Sequence, residues 1–121
     1  MYARLSKYRE TQHAAATQEE ILLALLDGVL RFINQAKEAT VHTRYADKGR
    51  AADRASAILT ELAAALDGER APEVCGNLVQ LYRFASERIM RGSAELDVVR
   101  YDEATRVVQQ VRDGFASALV R

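Results

Sequence analysis

At 121 residues the chain has the size of a single domain, able to bury about two-thirds of the surface its unfolded form exposes and too short for a second independent core. It is 49% apolar and 28% charged, unlike chains too polar to offset the entropy of ordering. Its 17 basic and 17 acidic residues cancel, so there is no overall positive field to draw in nucleic acid or an anionic membrane, and neither is expected as a partner.

Residues 1–16 carry Tyr2, Leu5 and Tyr8 at three-residue intervals, then His13 and three alanines, with no strong cap. This segment reads as an N-terminal arm or short helix. Thr17 with Glu20 has the spacing of a capping box, in which the hydroxyl takes a backbone N–H and the carboxylate reaches back to the cap. It predicts a first helix over 18–43. Ile21, Leu22, Leu25, Leu26, Val29, Leu30, Phe32, Ile33, Ala36 and Ala39 follow at helical spacing but fill two adjoining stripes, so this helix must be covered on more than one side.

The apolar pattern lapses at 42–47, where Asp47 is expected to meet free N–H groups at the start of a second helix over 45–67. Ala51, Ala55, Ile58, Leu59, Leu62 and Leu66 form its stripe, and Asp67-Gly68 is expected to close it. Pro72 suits a helical first turn, because its missing N–H would have no partner there. A third helix over 72–94 is built on Val74, Leu78, Leu81, Tyr82, Ala85 and Ile89. Gly92 should weaken its end by about 1 kcal/mol relative to alanine, giving a bend or stop at 92–96. Asp97 or Asp102 is expected to cap a fourth helix over 98–120, with Ala104, Val107, Val108, Val111, Phe115, Ala118 and Leu119 facing inward. Short connections between helices of similar length predict an all-α, antiparallel four-helix bundle over 17–121.

Reactive constellations are missing. His13 and His42 form neither a Glu-x-x-His motif nor a histidine pair one turn apart, so no metal or other cofactor is expected. His42 also stands at the wrong spacing from Lys48-Gly49 for a phosphotransfer histidine. Cys75 is the single cysteine, which rules out an internal disulfide and reads as a packing residue. Glu19 and Glu20 complement the dipole of the first helix. No enzyme is expected. With no signal-peptide pattern and no long apolar run, the cytoplasm is the expected compartment and membrane insertion is not expected.

The apolar residues outnumber what four single stripes need. Val79, Phe84 and Met90 lie outside the main line of the third helix, and the first helix carries its double stripe. Either the first helix simply contacts several neighbours, or the surplus forms a groove for helices of a partner that is disordered when free.

The blocks Leu25-Leu26-Asp27-Gly28, Leu30, Phe32-Ile33 and Gln35-Ala36-Lys37-Glu38-Ala39 resemble the flagellar secretion chaperone family, FliS. The resemblance continues through Ala55, Ile58-Leu59-Thr60-Glu61-Leu62 and Leu66-Asp67, through Asn77-Leu78, Leu81-Tyr82 and Phe84, and through Asp97 and Val111-Arg112-Asp113-Gly114-Phe115. Leu26, Gln18 and Gly92 depart from the family's usual residues. The resemblance implies a chaperone that binds the disordered C-terminal segment of flagellin, prevents premature polymerisation and presents the client for export. It further implies an N-terminal cap formed by Tyr2, Leu5 and Tyr8; a co-chaperone or export-gate component is a candidate further partner whose docking the sequence does not decide.

The expected client contacts are Ile58 and Leu62 on the second helix with Asn77, Leu81, Tyr82 and Phe84 on the third. Tyr82 and Phe84 are about 200° apart around the axis, so only one can point to the centre. The alternative function is a structural or regulatory bundle that uses the same surface to form a homodimer or bind another helical partner.

Overall fold

The computed structural model describes residues 16–119, which form four helices: α1 (Gln18–Val41), α2 (Tyr45–Ala64), α3 (Pro72–Glu95) and α4 (Val98–Leu119). The capping box at the head of α1 is formed. Thr17 Oγ1 accepts the Glu20 N–H at 3.1 Å and Glu20 Oε1 accepts the Thr17 N–H at 3.3 Å. At the foot of the helix the chain turns through Thr43, whose φ of 57° is left-handed.

α2 starts at Tyr45 as expected, with Asp47 in its first turn, but the Asp47 carboxylate takes different partners from those expected. Asp47 pairs with the guanidinium groups of Arg44 and Arg50, and Arg44 stands at the N-cap without a side-chain cap bond. Its end differs as well: the helix stops at Ala64, and Gly68 has no positive φ. Instead the Asp67 carboxylate accepts the Glu69 N–H at 3.1 Å and the Asp67 carbonyl accepts the Arg70 N–H at 3.3 Å, so a local turn competes successfully with further helix. Pro72 occupies the first turn of α3. That helix runs unbroken through Gly92 and Ser93 and ends at Leu96, which takes a left-handed conformation with φ 55°. Asp97 then accepts the Val99 N–H at 3.0 Å and caps α4, while Asp102 pairs with Lys37.

Each helix packs on its two neighbours in sequence order, α4 closes back on α1, and α1 meets α3 only marginally across the diagonal. Every neighbouring pair is antiparallel. Lys37–Asp102 at 2.7 Å and Arg112–Asp27 at 2.9 Å tie opposite ends of α1 and α4 together. The Lys48 ammonium donates to the Ser93 carbonyl at 2.7 Å, joining the head of α2 to the foot of α3.

The core comprises Leu26, Val29 and Ile33 of α1, Leu59 of α2, Ile89 of α3, and Tyr101 and Val108 of α4, all essentially inaccessible. Each such leucine or isoleucine contributes roughly 1.5–3 kcal/mol on burial. The double stripe of α1 is largely used inside the fold, because Leu22, Leu30 and Phe32 are half-buried against that core.

Gly92 turns out to be a packing requirement. A methyl group there would lie 3.0 Å from both Cδ1 and Cε1 of Tyr101 and 3.1 Å from the Asp97 carbonyl oxygen. The Tyr101 hydroxyl lies 3.0 Å from Thr40 Oγ1, which donates to the Ala36 carbonyl at 2.8 Å. Both polar groups are thereby satisfied in the interior.

Candidate protein-interaction groove

After the four helices have packed, apolar side chains remain outside. Val74, Leu81 and Phe84 of α3 are 59%, 37% and 38% exposed. Helical spacing brings them to one outer face, since residues three, four or seven apart lie near one another on the surface. Val74, Leu78 and Leu81 form one wall of a groove of about 430 Å³, and Val111, Phe115 and Ala118 of α4 form the other. Gly114 and Ala118 keep the α4 wall low; nothing lies within 4 Å of the space a methyl group on Gly114 would fill. Among the described residues, Gln110 is the one polar side chain lining the groove.

One turn beyond Leu81, the Phe84 ring lies 4.8 Å from the Arg88 guanidinium. Arg88 in turn pairs with Glu87 at 3.1 Å and with Glu103 of α4 at 3.8 Å. The contact to Glu87 is an ion pair without hydrogen-bond alignment, so the buried Nε of Arg88 has no hydrogen-bond acceptor. A charged network therefore bounds the upper end of the apolar groove.

A second cleft, of about 480 Å³, runs between α2 and α3. Leu59, Ala63, Val79 and Met90 line it together with Thr60, Arg83, Ser86 and Glu87, so it is more polar. Tyr82, only 2% exposed, belongs to its floor. Burial raises the pKa of its phenol above the ordinary tyrosine value.

The six residues singled out in the sequence do not share one surface. Asn77, Leu81 and Phe84 are exposed on α3, and of the three Leu81 lines the α3/α4 groove. Leu62 is buried in the core, and Tyr82 is the inward member of the Tyr82/Phe84 pair. Ile58 faces α1, where its Cδ1 would be 4.0 Å from a methyl group on Gly28. Conversely, the groove uses Val74, Leu78, Val111, Phe115 and Ala118, which belong to the periodic apolar stripes of α3 and α4. Tyr2, Leu5, Tyr8 and His13 lie outside the described residues.

The other residues singled out have ordinary surroundings. His42 is exposed at the end of α1, 3.5 Å from Glu38. The Cys75 thiol is half-buried and donates to the Asp67 carbonyl at 3.3 Å. Among the described residues no three His, Cys, Asp or Glu side chains are grouped to hold a metal ion, and no helix is long and apolar enough to cross a membrane.

A helical bundle that leaves an apolar groove open along one edge has the architecture of a protein-binding module, suited to receiving a helix through apolar anchors. The chain belongs to the FliS family: the family described as "Flagellar protein FliS" matches residues 1–121. It is similar to the flagellar secretion chaperone FliSB of Pseudomonas aeruginosa, with 29% identity over 106 residues, covering 88% of this chain and 84% of that protein. It is also similar to the flagellar secretion chaperone FliS of Escherichia coli strain K12, with 25% identity over 112 residues, covering 92% and 82% respectively.

Proposed function

We propose that this protein is a flagellar secretion chaperone that acts without catalysis in the cytoplasm, binding the disordered C-terminal segment of flagellin until export. The observation that carries the client site is the open groove walled by Val74, Leu78 and Leu81 on one side and Val111, Phe115 and Ala118 on the other. Family membership and the names of the related proteins support the role. Leu81 and Phe84 serve as the anchors, because a helix laid into a groove is held through apolar contacts and aromatic rings are enriched at the core of interfaces. Asn77 supplies a polar contact at the rim.

The mechanism is competition. Flagellin subunits assemble by packing apolar faces of terminal helices, and the chaperone occupies those faces first. A client that is disordered when free bears the cost of ordering as it binds, which holds affinity at a level compatible with release at the export gate. Tyr2, Leu5 and Tyr8 act as a displaceable cover for the same surface, and a co-chaperone or export-gate component docks on the loaded complex.

A polymerisation assay tests this reading. Equimolar chaperone should suppress filament growth from flagellin monomers, and light scattering should report a one-to-one complex. Filament growth at the uninhibited rate, or a tight chaperone homodimer that excludes flagellin, would refute it.

A further inference from the structure

The face between α1 and α2 lies across the ring of helices from the α3/α4 groove and has a different chemistry. Its centre is Phe32, half-buried on α1. The guanidinium carbons of Arg31 on α1 and Arg54 on α2 each lie 5.8 Å from the centre of that ring. Both arginines are exposed, and among the described residues neither has a carboxylate within ion-pair distance. Nearby Arg44 and Arg50 differ, since both pair with Asp47.

Arg54 also lines an adjoining cleft of about 400 Å³, together with Asn34, Gln35, Arg44 and Arg50. Glu38 and Asp47 are the carboxylates of that cleft. Among the described residues lining the cleft, three guanidinium groups meet two carboxylates, Asp47 is already shared between Arg44 and Arg50, and Arg31 stands outside the cleft as a further cation. The described lining of the cleft therefore holds a surplus of positive charge, although the chain as a whole is neutral.

The shared ring does little to compensate. A cation at an exposed site and near the 6 Å limit gains only about 0.5–1 kcal/mol from an aromatic face. A carboxylate set between the two forks would gain charge-assisted, bidentate hydrogen bonds, for which the planar guanidinium is better shaped than an ammonium.

We propose that the α1/α2 face docks an acidic helical segment of a second protein, with carboxylates bridging Arg31 and Arg54 and an apolar side chain resting on Phe32. Nucleic acid fits this face less well, because it rewards a long track of cations rather than one local surplus. The site is independent of the α3/α4 groove, and its position across the bundle allows both to be occupied together.

Fluorescence anisotropy of the full chain titrated into a labelled helical peptide, with glutamates four residues apart and a leucine between them, tests the proposal. Saturable binding is expected, weakening about tenfold or more as NaCl rises from about 20 mM to about 300 mM, as screening of exposed charges requires. The R31E/R54E variant should lose at least about tenfold in affinity, while R31K/R54K, which keeps charge but not the fork, should fall between it and the parent. Circular dichroism should be unchanged in both variants, since the two side chains are exposed. Absence of saturable binding, equal affinity for R31E/R54E, or equal affinity for a peptide with lysine in place of glutamate would overturn the proposal. Tighter binding of a single-stranded oligonucleotide with the same arginine dependence would also overturn it.

Discussion

Replacing Gly92 by alanine sets two opposing effects against each other. Helix propensity alone favours alanine over glycine in a helix interior by about 1 kcal/mol. At this position, however, the new methyl group would sit 3.0 Å from two carbons of the Tyr101 ring and 3.1 Å from the Asp97 carbonyl oxygen. Tyr101 cannot simply swing away: its side chain is fully buried and its hydroxyl contacts Thr40 Oγ1 at 3.0 Å. The carbonyl belongs to the α3–α4 turn and is equally constrained.

Overpacking of this kind costs roughly 1–3 kcal/mol, and two constrained neighbours place it in the upper part of that range, about 2–3 kcal/mol, from which the propensity gain of about 1 kcal/mol is subtracted. We expect Gly92→Ala to be destabilising by about 1–2 kcal/mol net, which lowers the Tm of a domain near 100 residues by about 4–8 °C per kcal/mol. Gly49→Ala is the control, because nothing lies within 4 Å of its added methyl group; it should stabilise by about 0.5–1 kcal/mol. Urea denaturation followed by circular dichroism measures both. A Gly92→Ala protein as stable as the parent, or more stable, would refute the reasoning.

Tyr101→Phe should cost about 1 kcal/mol in urea denaturation, the typical worth of a buried hydrogen bond, with Thr40 retaining its bond to Ala36; an unchanged midpoint would contradict this. The Asp97 carboxyl is held below the ordinary carboxylate range, first by the hydrogen bond from the Arg100 side chain and then by that from the Val99 N–H. Its stabilising contribution is therefore present above the unfolded carboxylate pKa and is lost as the pH falls through the lower folded value. Asp97→Asn should flatten the acid limb of a stability–pH profile, and an identical limb would count against this cap. Tyr82 behaves in the opposite sense, because burial favours its neutral form. The folded pKa is raised, so stability is complete below the unfolded tyrosine pKa and declines as the pH rises toward the folded value. Tyr82→Phe should remove that alkaline loss, as followed by denaturation at several alkaline pH values; a loss of the same size in the variant would exclude Tyr82 as its source.

Local chemistry determines what was legible in the sequence. The Thr17/Glu20 box, Pro72 at the head of α3, Asp97 at the head of α4 and the three-and-four spacing of buried residues are all encoded within a few positions, and each has its expected place in the fold. The end of α2 was less visible, since Ala63, Ala64 and Ala65 are good helix formers and carry no stop signal. The turn that ends it depends on Asp67 bonding to its own neighbours.

Gly92 was readable as a weak helix former but not as the seat of the Tyr101 ring, because that contact joins two helices. The groove was hidden for the same reason. Phe115 and Ala118 keep an inward spacing on α4, yet they also border the solvent-facing seam with α3, and nothing in either helix alone reveals that the seam stays open. Ile58 shows the converse, as its stripe position does not disclose that it faces α1 rather than α3.

Binding of the client at the α3/α4 seam is measured by isothermal titration calorimetry of a flagellin C-terminal segment into the parent protein and into Leu81→Asp. One-to-one binding with a negative heat-capacity change, the mark of apolar burial, is expected for the parent. The variant should lose at least about tenfold in affinity, equivalent to about 1.4 kcal/mol. Equal affinity for the two proteins, with the variant folded, would contradict binding at this seam.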